Sequence, residues 1–437
     1  MNIILLSGGS GQRLWPLSNT IRSKQFIKLF RGEDGHYESM LQRVCRQIMA
    51  ADADARIVIA TGKSQVSEIR NQAGSSVDIC VEPERRDTMA AIALAASFLS
   101  QKLDSSDEPV IVCPVDPYVD DNYFEALKVL DAKISENAPG LFLMGVEPTY
   151  PSAKYGYIIP ENDSDISDVK EFCEKPDTVR AADYIARGAL WNCGVFGFRM
   201  NYILKKAEEI LGSSRYEELL EKYGNLPKIS FDYAVAEKEK NIKVVKFVGQ
   251  WKDIGTWNTF AESMAEPVIG QALLDECCTN VNVVNELGIP VICMGLRDAV
   301  VAVSNDGILV TDKERSGYLK SYVEKLSDSV RYAEKSWGTF TVLDVTPESM
   351  TVKAVVMPGK AMSYHSHEER MEVWNVISGK GEAVIDGVRK EIKAGDSLSV
   401  HAGVKHSVRA FTQLTVIEIQ QGREINAHDK TKYEWNW

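Results

Sequence analysis

A glycine-rich segment follows directly behind the first apolar stretch of the chain, in the sequence LLSGGSGQRLWPLS from Leu5 to Ser18. Glycine lets the backbone approach a ligand closely, and successive backbone N–H groups in such a loop can bind an anion. Arg13 in this segment and Lys24 in the following SKQF add positive charge. The glycine spacing matches neither the dinucleotide nor the Walker pattern. The segment predicts a phosphate-binding loop, with a plain strand-to-helix turn as the alternative.

A second group of reactive side chains lies near the other end of the chain, where five of the six histidines fall between residues 365 and 428. On a strand, His365 and His367 point to the same face because side chains alternate with a period of two. Together with Glu372 and His406 they provide three imidazoles and one carboxylate, a ligand set that suits zinc, iron, manganese or nickel. The pattern therefore favours a metal site over histidines that merely pack in a core or lie on the surface.

The elements that must position these residues differ between the two ends of the chain. Up to about residue 265, apolar runs alternate with helical stretches, which predicts a mostly parallel α/β sheet covered by helices on both faces. The glycine loop and Asp116 both follow strands, at the sheet edge where ligands bind. From Ser336 onward short strands separated by turn residues predict a β-sandwich or barrel. We therefore expect domains at 1–265 and 331–437, joined by a β-rich connector with a linker helix at 266–330.

The composition excludes several classes of function. The chain has 437 residues and a net charge of −12, which argues against general affinity for nucleic acid or an anionic membrane. No apolar run approaches the roughly 20 residues that span a bilayer. The apolar stretch from Met1 to Leu6 lacks a preceding basic segment, so we expect a buried strand and not a secretory signal. Eight scattered cysteines predict a reduced, cytoplasmic protein.

Longer strings of residues carry a family resemblance. GGSGQRLWPLS followed by SKQF resembles the G-G-S-G-T-R-L-W-P-L-S and P-K-Q-F patterns of the bacterial mannose-1-phosphate guanylyltransferases, in the form fused to a mannose-6-phosphate isomerase-like cupin. Further matching segments follow in the family's order: EPERRDTMAAIA, PVD, YGYI, FCEKP, WNCGVF and WKDIGTW. The resemblance covers essentially the whole chain. It implies a Rossmann-like, GT-A-like nucleotidyltransferase domain with a mixed sheet, followed by an all-β cupin barrel.

The resemblance also implies a reaction and a set of residues. A sugar-1-phosphate, mannose-1-phosphate first, would attack the α-phosphorus of a nucleoside triphosphate, GTP first, and give GDP-mannose and pyrophosphate with Mg²⁺ as cofactor. The implied magnesium ligands are Asp116 and Asp253, and the implied catalytic residues are Arg13, Lys24, Asp116 and Asp253. The implied nucleotide-binding residues are Gly8, Gly9, Gly11, Arg13, Lys24, Glu82 and Arg86. The implied sugar-binding residues are Gly156, Glu174, Lys175 and Asn192.

In the cupin region the spacing of His365, His367, Glu372 and His406 is similar to the two cupin motifs, which implies a transition metal, zinc first. Several positions depart from the family's pattern. Gln12, Asp87 and Pro117 leave another sugar-1-phosphate or another nucleotide open. The run SHEERMEVW and the tail REINAHDKTKYEWNW also depart, so a cupin that isomerises mannose-6-phosphate and fructose-6-phosphate stands beside a non-catalytic binding or homodimerisation module. A regulatory subunit without catalysis is the third interpretation.

Overall fold

The structure is a computed structural model that describes residues 1–9, 12–105, 107–137, 140–326, 330–423, 425 and 429–437. The chain divides into two compact units, Met1–Ser10 with Ser23–Ala265 and Gly11–Arg22 with Glu266–Trp437. Among the described helices, none combines the length and the apolar composition that crossing a bilayer requires.

The first unit alternates strands and helices. Its described strands are β1 (Asn2–Leu6), β2 (Phe30–Arg31), β3 (Tyr37–Glu38), β4 (Arg56–Gly62), β5 (Asp78–Glu82), β6 (Pro109–Pro114), β7 (Pro117–Val119), β8 (Leu141–Val146), β9 (Tyr157–Pro160), β10 (Ile166–Cys173), β11 (Leu190–Arg199), β12 (Ile242–Phe247) and β13 (Trp251–Asp253). Its described α-helices are α1 (Met40–Ala51), α2 (Val66–Ala73), α3 (Asp87–Ser100), α4 (Asn122–Asn137), α5 (Thr178–Ala186), α6 (Met200–Leu211), α7 (Tyr216–Lys222) and α8 (Trp257–Ala261).

A mixed sheet forms the centre of this unit, in the order β5-β4-β1-β6-β11-β8-β12-β10-β9. β1 pairs in parallel with both β4 and β6, and β4 pairs in parallel with β5. β11 runs antiparallel to β6, β8 and β9, and β9 and β10 form an antiparallel pair. The mixed sheet is confirmed. The prediction of a mostly parallel sheet is wrong for the second half of this sheet, where β9, β10 and β11 pair antiparallel. Strand–helix alternation in the sequence does not predict that pairing.

Local sequence explains the helices that cover this sheet. The Ser39 side chain accepts from the backbone N–H of Gln42 and the Gln42 side chain accepts in return, a capping box that starts α1. Helix α3, whose sequence DTMAAIALAASFLS is rich in small apolar residues, is buried from Met89 to Ala96 along every face. A helix that is apolar all round packs inside a large core, so α3 joins the main hydrophobic core between the sheet and α6.

The second unit begins with short strands of parallel β-structure. Its described elements are β14 (Val268–Ile269), β15 (Ala272–Leu274), β16 (Asn282–Asn285), β17 (Val291–Cys293), β18 (Ala299–Ser304), β19 (Gly307–Asp312) and helix α9 (Lys320–Val323). β14, β16 and β18 pair in parallel, as do β15 and β17. Alternate small apolar residues such as Val281, Val283 and Val301 close a narrow core between these strands. This part therefore has the β-rich character that the sequence predicts for a connector.

The remainder of the second unit is all β. Its strands are β20 (Tyr332–Lys335), β21 (Gly338–Val345), β22 (Ser349–Val356), β23 (Tyr364–Ser366), β24 (Arg370–Ser378), β25 (Lys380–Ile385), β26 (Val388–Lys393), β27 (Ser397–Val400), β28 (His406–Ala410), β29 (Leu414–Gly422) and β30 (Thr431–Tyr433). They form two antiparallel sheets, β20-β21-β22-β29-β24-β27 and β26-β25-β28-β23-β30. Inward residues such as Trp374, Val400 and Val416 form one shared core, as the predicted cupin fold requires.

Candidate active site and metal centre

A cavity of about 320 Å³ opens where three neighbouring parallel strands end. β1 ends at Leu6, β4 at Gly62 and β5 at Glu82. Open α/β sheets bind their ligands at this carboxyl edge. The lining residues are Leu6, Gly8, Gly9, Ala60, Gly62, Lys63, Ser64, Gln65, Glu82, Pro83, Glu84, Arg85, Asp87, Thr88 and Ala91.

Gly9 turns the chain at the edge of this cavity with a φ of +146°, a conformation that favours glycine. Its carbonyl oxygen accepts three hydrogen bonds, from Ser23 Oγ at 3.1 Å, Gln65 Nε2 at 3.3 Å and Arg85 Nη2 at 3.2 Å. Because donors from three separate segments converge on one carbonyl, they hold the Gly9 backbone in place beside the cavity.

Of the predicted nucleotide residues, Gly8, Gly9 and Glu82 line the cavity. The Glu82 carboxylate accepts a hydrogen bond from the Tyr223 hydroxyl at 2.7 Å. Burial raises the pKa of Glu82, and the bond from Tyr223 offsets only part of this effect. A carboxylate that faces the cavity can accept N–H or O–H groups of a ligand.

Arg86 is not among the residues that line the described cavity. Its Nη2 lies 3.1 Å from Glu84 Oε1 and its Nη1 donates to the Leu226 carbonyl at 3.4 Å. The neighbouring Arg85 lines the cavity instead. Arg85 donates to the Gly9 carbonyl and Arg86 to the Leu226 carbonyl, a difference that their order in the sequence does not indicate.

Two further predicted nucleotide-binding residues, Gly11 and Arg13, are not part of the described cavity lining. Gly11 lies outside the described residues. Arg13 is exposed in a short 3-10 helix, Gln12–Leu14, which belongs to the second compact unit.

Lys24 bridges two carboxylates. Its Nζ lies 2.8 Å from Asp116 Oδ2 and 4.0 Å from Asp253 Oδ1, and it donates to the Ile254 carbonyl at 2.9 Å. Asp116 lies between β6 and β7, and the antiparallel pairing of β13 with β7 sets Asp253 opposite Pro117. The structure thus brings together three of the four predicted catalytic residues, although Lys24 and Asp253 lie at opposite ends of the first unit's sequence. The short β7–β13 ladder joins the segments that carry Asp116 and Asp253.

The electrostatics of this group suit a cation. Burial raises the pKa of Asp116, but the charge and hydrogen bond of Lys24 outweigh it, so the pKa lies below its ordinary value. The side chains of Asp116 and Asp253 are each 38% exposed, which leaves oxygen atoms open to solvent beside the ammonium group. Magnesium typically binds through one or two carboxylates and keeps several waters. The two carboxylates therefore fit a magnesium ion.

The four predicted sugar-binding residues also lie together. The backbone N–H of Asn192 donates to the Gly156 carbonyl at 2.8 Å, and Glu174 Oε1 lies 2.5 Å from Lys175 Nζ. A Cβ on Gly156 would lie 2.4 Å from Glu174 Oε2, so the absence of a side chain at Gly156 lets the Glu174 carboxylate lie this close to the backbone. Lys175 adopts a φ of +47°, which is uncommon for a residue other than glycine. Such strained positions cluster at functional sites.

Two acidic residues that the sequence analysis missed complete this cluster. Asp232 Oδ1 accepts from Asn192 Nδ2 at 2.8 Å, and Glu237 Oε1 accepts from the Glu174 backbone N–H at 2.9 Å. Burial and the charge of Glu174 raise the pKa of Asp232 to about 6. Asp232 opens a π-helix, Asp232–Ala236, an element frequent at functional sites. The sequence signal that could have identified Asp232 is its isolated carboxylate in the apolar stretch ISFDYAVA.

Replacement of Gly156 by alanine should displace the Glu174 carboxylate, because the new methyl group would overlap its Oε2. We expect the KM for a sugar-phosphate substrate to rise about tenfold, since small misplacements of positioning groups are costly, while the KM for the nucleotide stays unchanged. Steady-state kinetics with each substrate varied in turn measures both values. Gly288→Ala is the matched control, because a Cβ there meets nothing within 4 Å. Equal effects on both KM values would contradict the prediction.

The histidine cluster lies inside the all-β part of the second unit. His365, His367, Glu372 and His406 are all buried, and their ligand atoms lie within 4.8 Å of one another. The pairing of β23 with β28 sets His365 directly opposite His406. His367 Nε2 lies 3.1 Å from Glu372 Oε1, and His406 Nε2 lies 3.3 Å from Glu372 Oε2. The structure thus brings all four predicted ligands together.

Backbone carbonyls set the tautomer of each ring. The Nδ1 atoms of His365 and His406 lie 2.7 Å from the Ser363 oxygen and 2.9 Å from the Val404 oxygen. The Nδ1 of His367 bonds in the same way to a backbone oxygen near the end of the chain. Because a carbonyl only accepts, each Nδ1 carries the proton and each Nε2 presents a lone pair. This is the tautomer that binds a metal through Nε2.

Burial and charge agree with that assignment. Burial lowers the pKa of His365 to about 2, which keeps the ring neutral. Burial raises the pKa of Glu372, but its position between His367 and His406 lowers the pKa by more than burial raises it, so the carboxyl is ionised. Among the described atoms, His406 Nε2 and Glu372 Oε1 are buried without a hydrogen-bond partner. The neutral His365 ring, two further imidazoles and a carboxylate with such atoms form a site for a divalent metal.

Comparisons with known proteins agree with both halves of this description. Residues 2–267 match the model of the nucleotidyl transferase family, and residues 352–419 match that of the cupin domain. The chain is 29% identical to a mannose-1-phosphate guanylyltransferase of Salmonella montevideo, over 98% of both chains. It is 30% identical to the xanthan biosynthesis protein XanB of Xanthomonas campestris pv. campestris (strain B100), over 99% of this chain and 97% of the relative.

A solved structure is also similar. The protein titled mannose-1-phosphate geranyltransferase from Thermus thermophilus superposes with a TM-score of 0.63 at 29% identity, over 74% of this chain and 98% of its own.

Proposed function

The chain belongs to the nucleotidyl transferase family, and from this membership we propose that it transfers GMP from GTP to mannose-1-phosphate and releases pyrophosphate. The observation that carries the proposal is the Lys24 ammonium between Asp116 and Asp253. Similarity over nearly the full length to relatives named for this reaction supports the choice of substrates. All eight cysteines lie in the described part of the chain and are free, which supports a reduced, cytoplasmic setting.

In the proposed reaction, an oxygen of the sugar-1-phosphate attacks the α-phosphorus of GTP. The bond from that phosphorus to the bridging oxygen breaks, and pyrophosphate leaves with the electron pair. The nucleophile is already an anion near neutral pH, so the reaction needs no general base. The protein must instead hold two anions in line and offset their repulsion. Lys24 provides a positive charge for this task, and we assign Arg13 and Gly11 to the same triphosphate.

Asp116 and Asp253 would hold Mg²⁺, which when bound would offset the negative charge of the phosphates. The half-exposed carboxylates beside Lys24 support this assignment. Gly8, Gly9 and Glu82 would receive the nucleoside, because they line the cavity at the sheet edge. We assign Arg86 to the nucleotide as well, and Arg85, which lines the cavity, joins it in our proposal.

On the acceptor side, we assign the sugar to Gly156, Glu174 and Asn192, and its phosphate to Lys175. A carboxylate accepts hydrogen bonds from two adjacent hydroxyl groups, and an ammonium group binds phosphate as a point charge. The close approach of Gly156 to Glu174 supports a site that is shaped around one sugar.

The substrates are tested by pyrophosphate release from the full chain with magnesium. GTP, CTP, UTP and dTTP are each combined with mannose-1-phosphate, glucose-1-phosphate and fucose-1-phosphate. We expect turnover with GTP and mannose-1-phosphate. Turnover with a different pair would keep the chemistry and move the specificity to Gln12, Asp87 and Pro117. Absence of turnover with every pair would reject the enzymatic proposal and favour a regulatory role.

Asp232 makes the folding stability of the chain depend on pH. Its raised pKa of about 6 means that the folded state holds the proton more tightly than the unfolded chain. The associated stability is present at low pH and is lost as pH rises through about 6, by about 1 kcal/mol between pH 5 and pH 8. Asp232→Asn keeps an oxygen for Asn192 and removes the charge, so it should stabilise the chain more at pH 8 than at pH 5.

Thermal unfolding of parent and variant at both pH values measures this difference. Asp165→Asn, on an exposed turn, is the control because its carboxylate faces solvent. A variant whose melting temperature exceeds that of the parent by the same amount at both pH values would contradict the assignment.

For the second unit we propose a zinc centre formed by His365, His367, Glu372 and His406. The buried cluster and the cupin match support a divalent metal there. One further observation favours isomerisation over a purely structural role. Glu418 provides a second carboxyl in contact with Glu372. A carboxyl beside a metal centre can exchange protons with a substrate.

Metal analysis of the purified chain, with fructose-6-phosphate turnover in the same preparation, separates the alternatives. Zinc with turnover supports an isomerase, and zinc without turnover supports a binding or dimerisation module.

A further inference from the structure

The end of the chain packs against β23, the strand that carries the metal-site residue His365 and ends one residue before His367. Residues 429–437, which we call the C-terminal strap, include β30 at the edge of the five-stranded sheet. β30 pairs antiparallel with β23, and the register sets His365 opposite Lys432 and Ser366 opposite Thr431. The strap is therefore hydrogen-bonded to the backbone of the metal-binding segment.

Asp429, the first residue of the strap, contacts this segment through its backbone and its side chain. Its backbone oxygen accepts from Nδ1 of His367. Its side-chain Oδ1 accepts from the backbone N–H of Glu368 at 2.8 Å and of Glu369 at 3.3 Å. Its Oδ2 lies 3.9 Å from Nη1 of Arg370. A single residue thus sets the tautomer of one ligand and holds the turn that follows that ligand.

The three histidines differ in where their carbonyl partners come from. His365 and His406 use Ser363 and Val404, which are only two residues away in each case. His367 uses Asp429, 62 residues further along the chain. The first two tautomers are therefore set locally. The third depends on the docking of the strap.

Aromatic residues hold the rest of the strap on the barrel. The Trp435 ring lies 4.8 Å from the ring of Tyr364, the residue before His365. The Tyr433 hydroxyl lies 3.1 Å from Ser366 Oγ, and Arg389 Nη2 donates to the Asn436 carbonyl at 2.9 Å. These contacts cover the segment on both sides of His365.

We propose that the C-terminal strap is a positioning part of the metal centre, so that metal binding and strap docking are linked. The inference rests on the proposed metal site. Binding linkage is reciprocal: if the docked strap raises metal affinity, bound metal must stabilise the docked strap by the same factor. Residues that orient a metal-binding histidine typically change metal affinity by about 10- to 100-fold when replaced.

The first test measures the affinity of the full chain for Zn²⁺ by chelator competition and records the visible spectrum of the Co²⁺-loaded protein. Asp429→Ala removes the side-chain bonds that hold the Asp429 backbone against His367, so it should weaken Zn²⁺ binding about 10- to 100-fold and shift the Co²⁺ bands. Asp429→Asn keeps an acceptor oxygen for the two N–H groups and should restore most of the affinity. Glu434→Gln, on an exposed position of the strap, is the control.

The second test needs no substitution. Carboxypeptidase digestion of the unmodified chain is followed by mass spectrometry, with the protein either Zn²⁺-loaded or stripped by a chelator. We expect slower release of residues from Trp437 inward in the loaded protein. If the parent binds zinc, equal digestion rates of the loaded and stripped protein would overturn the inference and leave the metal site standing. An Asp429→Ala variant with the Zn²⁺ affinity of the parent would do the same. A parent that binds neither Zn²⁺ nor Co²⁺ would overturn the metal site and the inference together.

Discussion

Replacement of Asp253 by asparagine should lower the kcat of nucleotidyl transfer by about 10²- to 10³-fold, an effect typical of removing one group that stabilises transition-state charge. The amide keeps the size of the side chain but loses the charge that faces Lys24 across 4.0 Å. Asp116 would then be the remaining carboxylate for Mg²⁺ in this group. We therefore also expect the variant to need more magnesium for half-maximal rate, which titration with MgCl₂ measures.

Asp165→Asn serves again as the matched control, because it removes an aspartate charge from an exposed turn of the same unit. A parent-like kcat and magnesium requirement in Asp253→Asn would reject a metal-binding role for this residue. A lower kcat with an unchanged magnesium requirement would instead assign Asp253 to the orientation of Lys24.

Replacement of Glu372 by glutamine should reduce the metal content of the chain from one ion to nearly none. The carboxylate lies between two ligand histidines, at 3.1 Å from His367 Nε2 and 3.3 Å from His406 Nε2. It also accepts a hydrogen bond from the Trp374 indole at 3.0 Å. Glutamine is a poor ligand for zinc compared with a carboxylate, and its amide group would direct a donor toward the histidine lone pairs.

Elemental analysis after dialysis against limiting zinc measures the content. Glu391→Gln, on an exposed position of β26, is the control for loss of a carboxylate charge. We expect that control to retain its metal. If Glu372→Gln also retained a full equivalent of tightly bound zinc, Glu372 would not be a ligand.

Much of the site could be predicted because the relevant signals are local. The glycine segment and Asp116 each lie beside a strand end, and strand ends follow from hydrophobic periodicity. The spacing of His365, on β23, and His367, directly after that strand, indicates for the same reason that both rings lie on one side of the chain. The family resemblance then indicated that these separate segments, and Asp253, form one site. In the structure the β7–β13 ladder positions Asp253, whose Oδ1 lies 4.0 Å from Lys24 Nζ.

Other features could not be predicted because they depend on contacts between distant segments. Arg85 and Arg86 are adjacent and chemically identical, and only the packing around Glu84 and Leu226 decides which of them faces the cavity. Asp232 contributes through a bond to Asn192, 40 residues away. No local sequence pattern predicts which arginine faces the cavity or that Asp232 contacts Asn192, since neither feature depends on helix or strand periodicity.

The sequence by itself determined the kinds of element and the reactive groups: an α/β region with a glycine loop and carboxylates at strand ends, followed by a β region with three histidines and a glutamate. Periodicity and residue type are properties of neighbouring positions, so they are readable without a structure. Only the tertiary structure decided the antiparallel course of β11, the partner of Asn192, and the dependence of His367 on Asp429. Each of these is a pairing across a long stretch of chain, and its geometry is set when the sheets assemble.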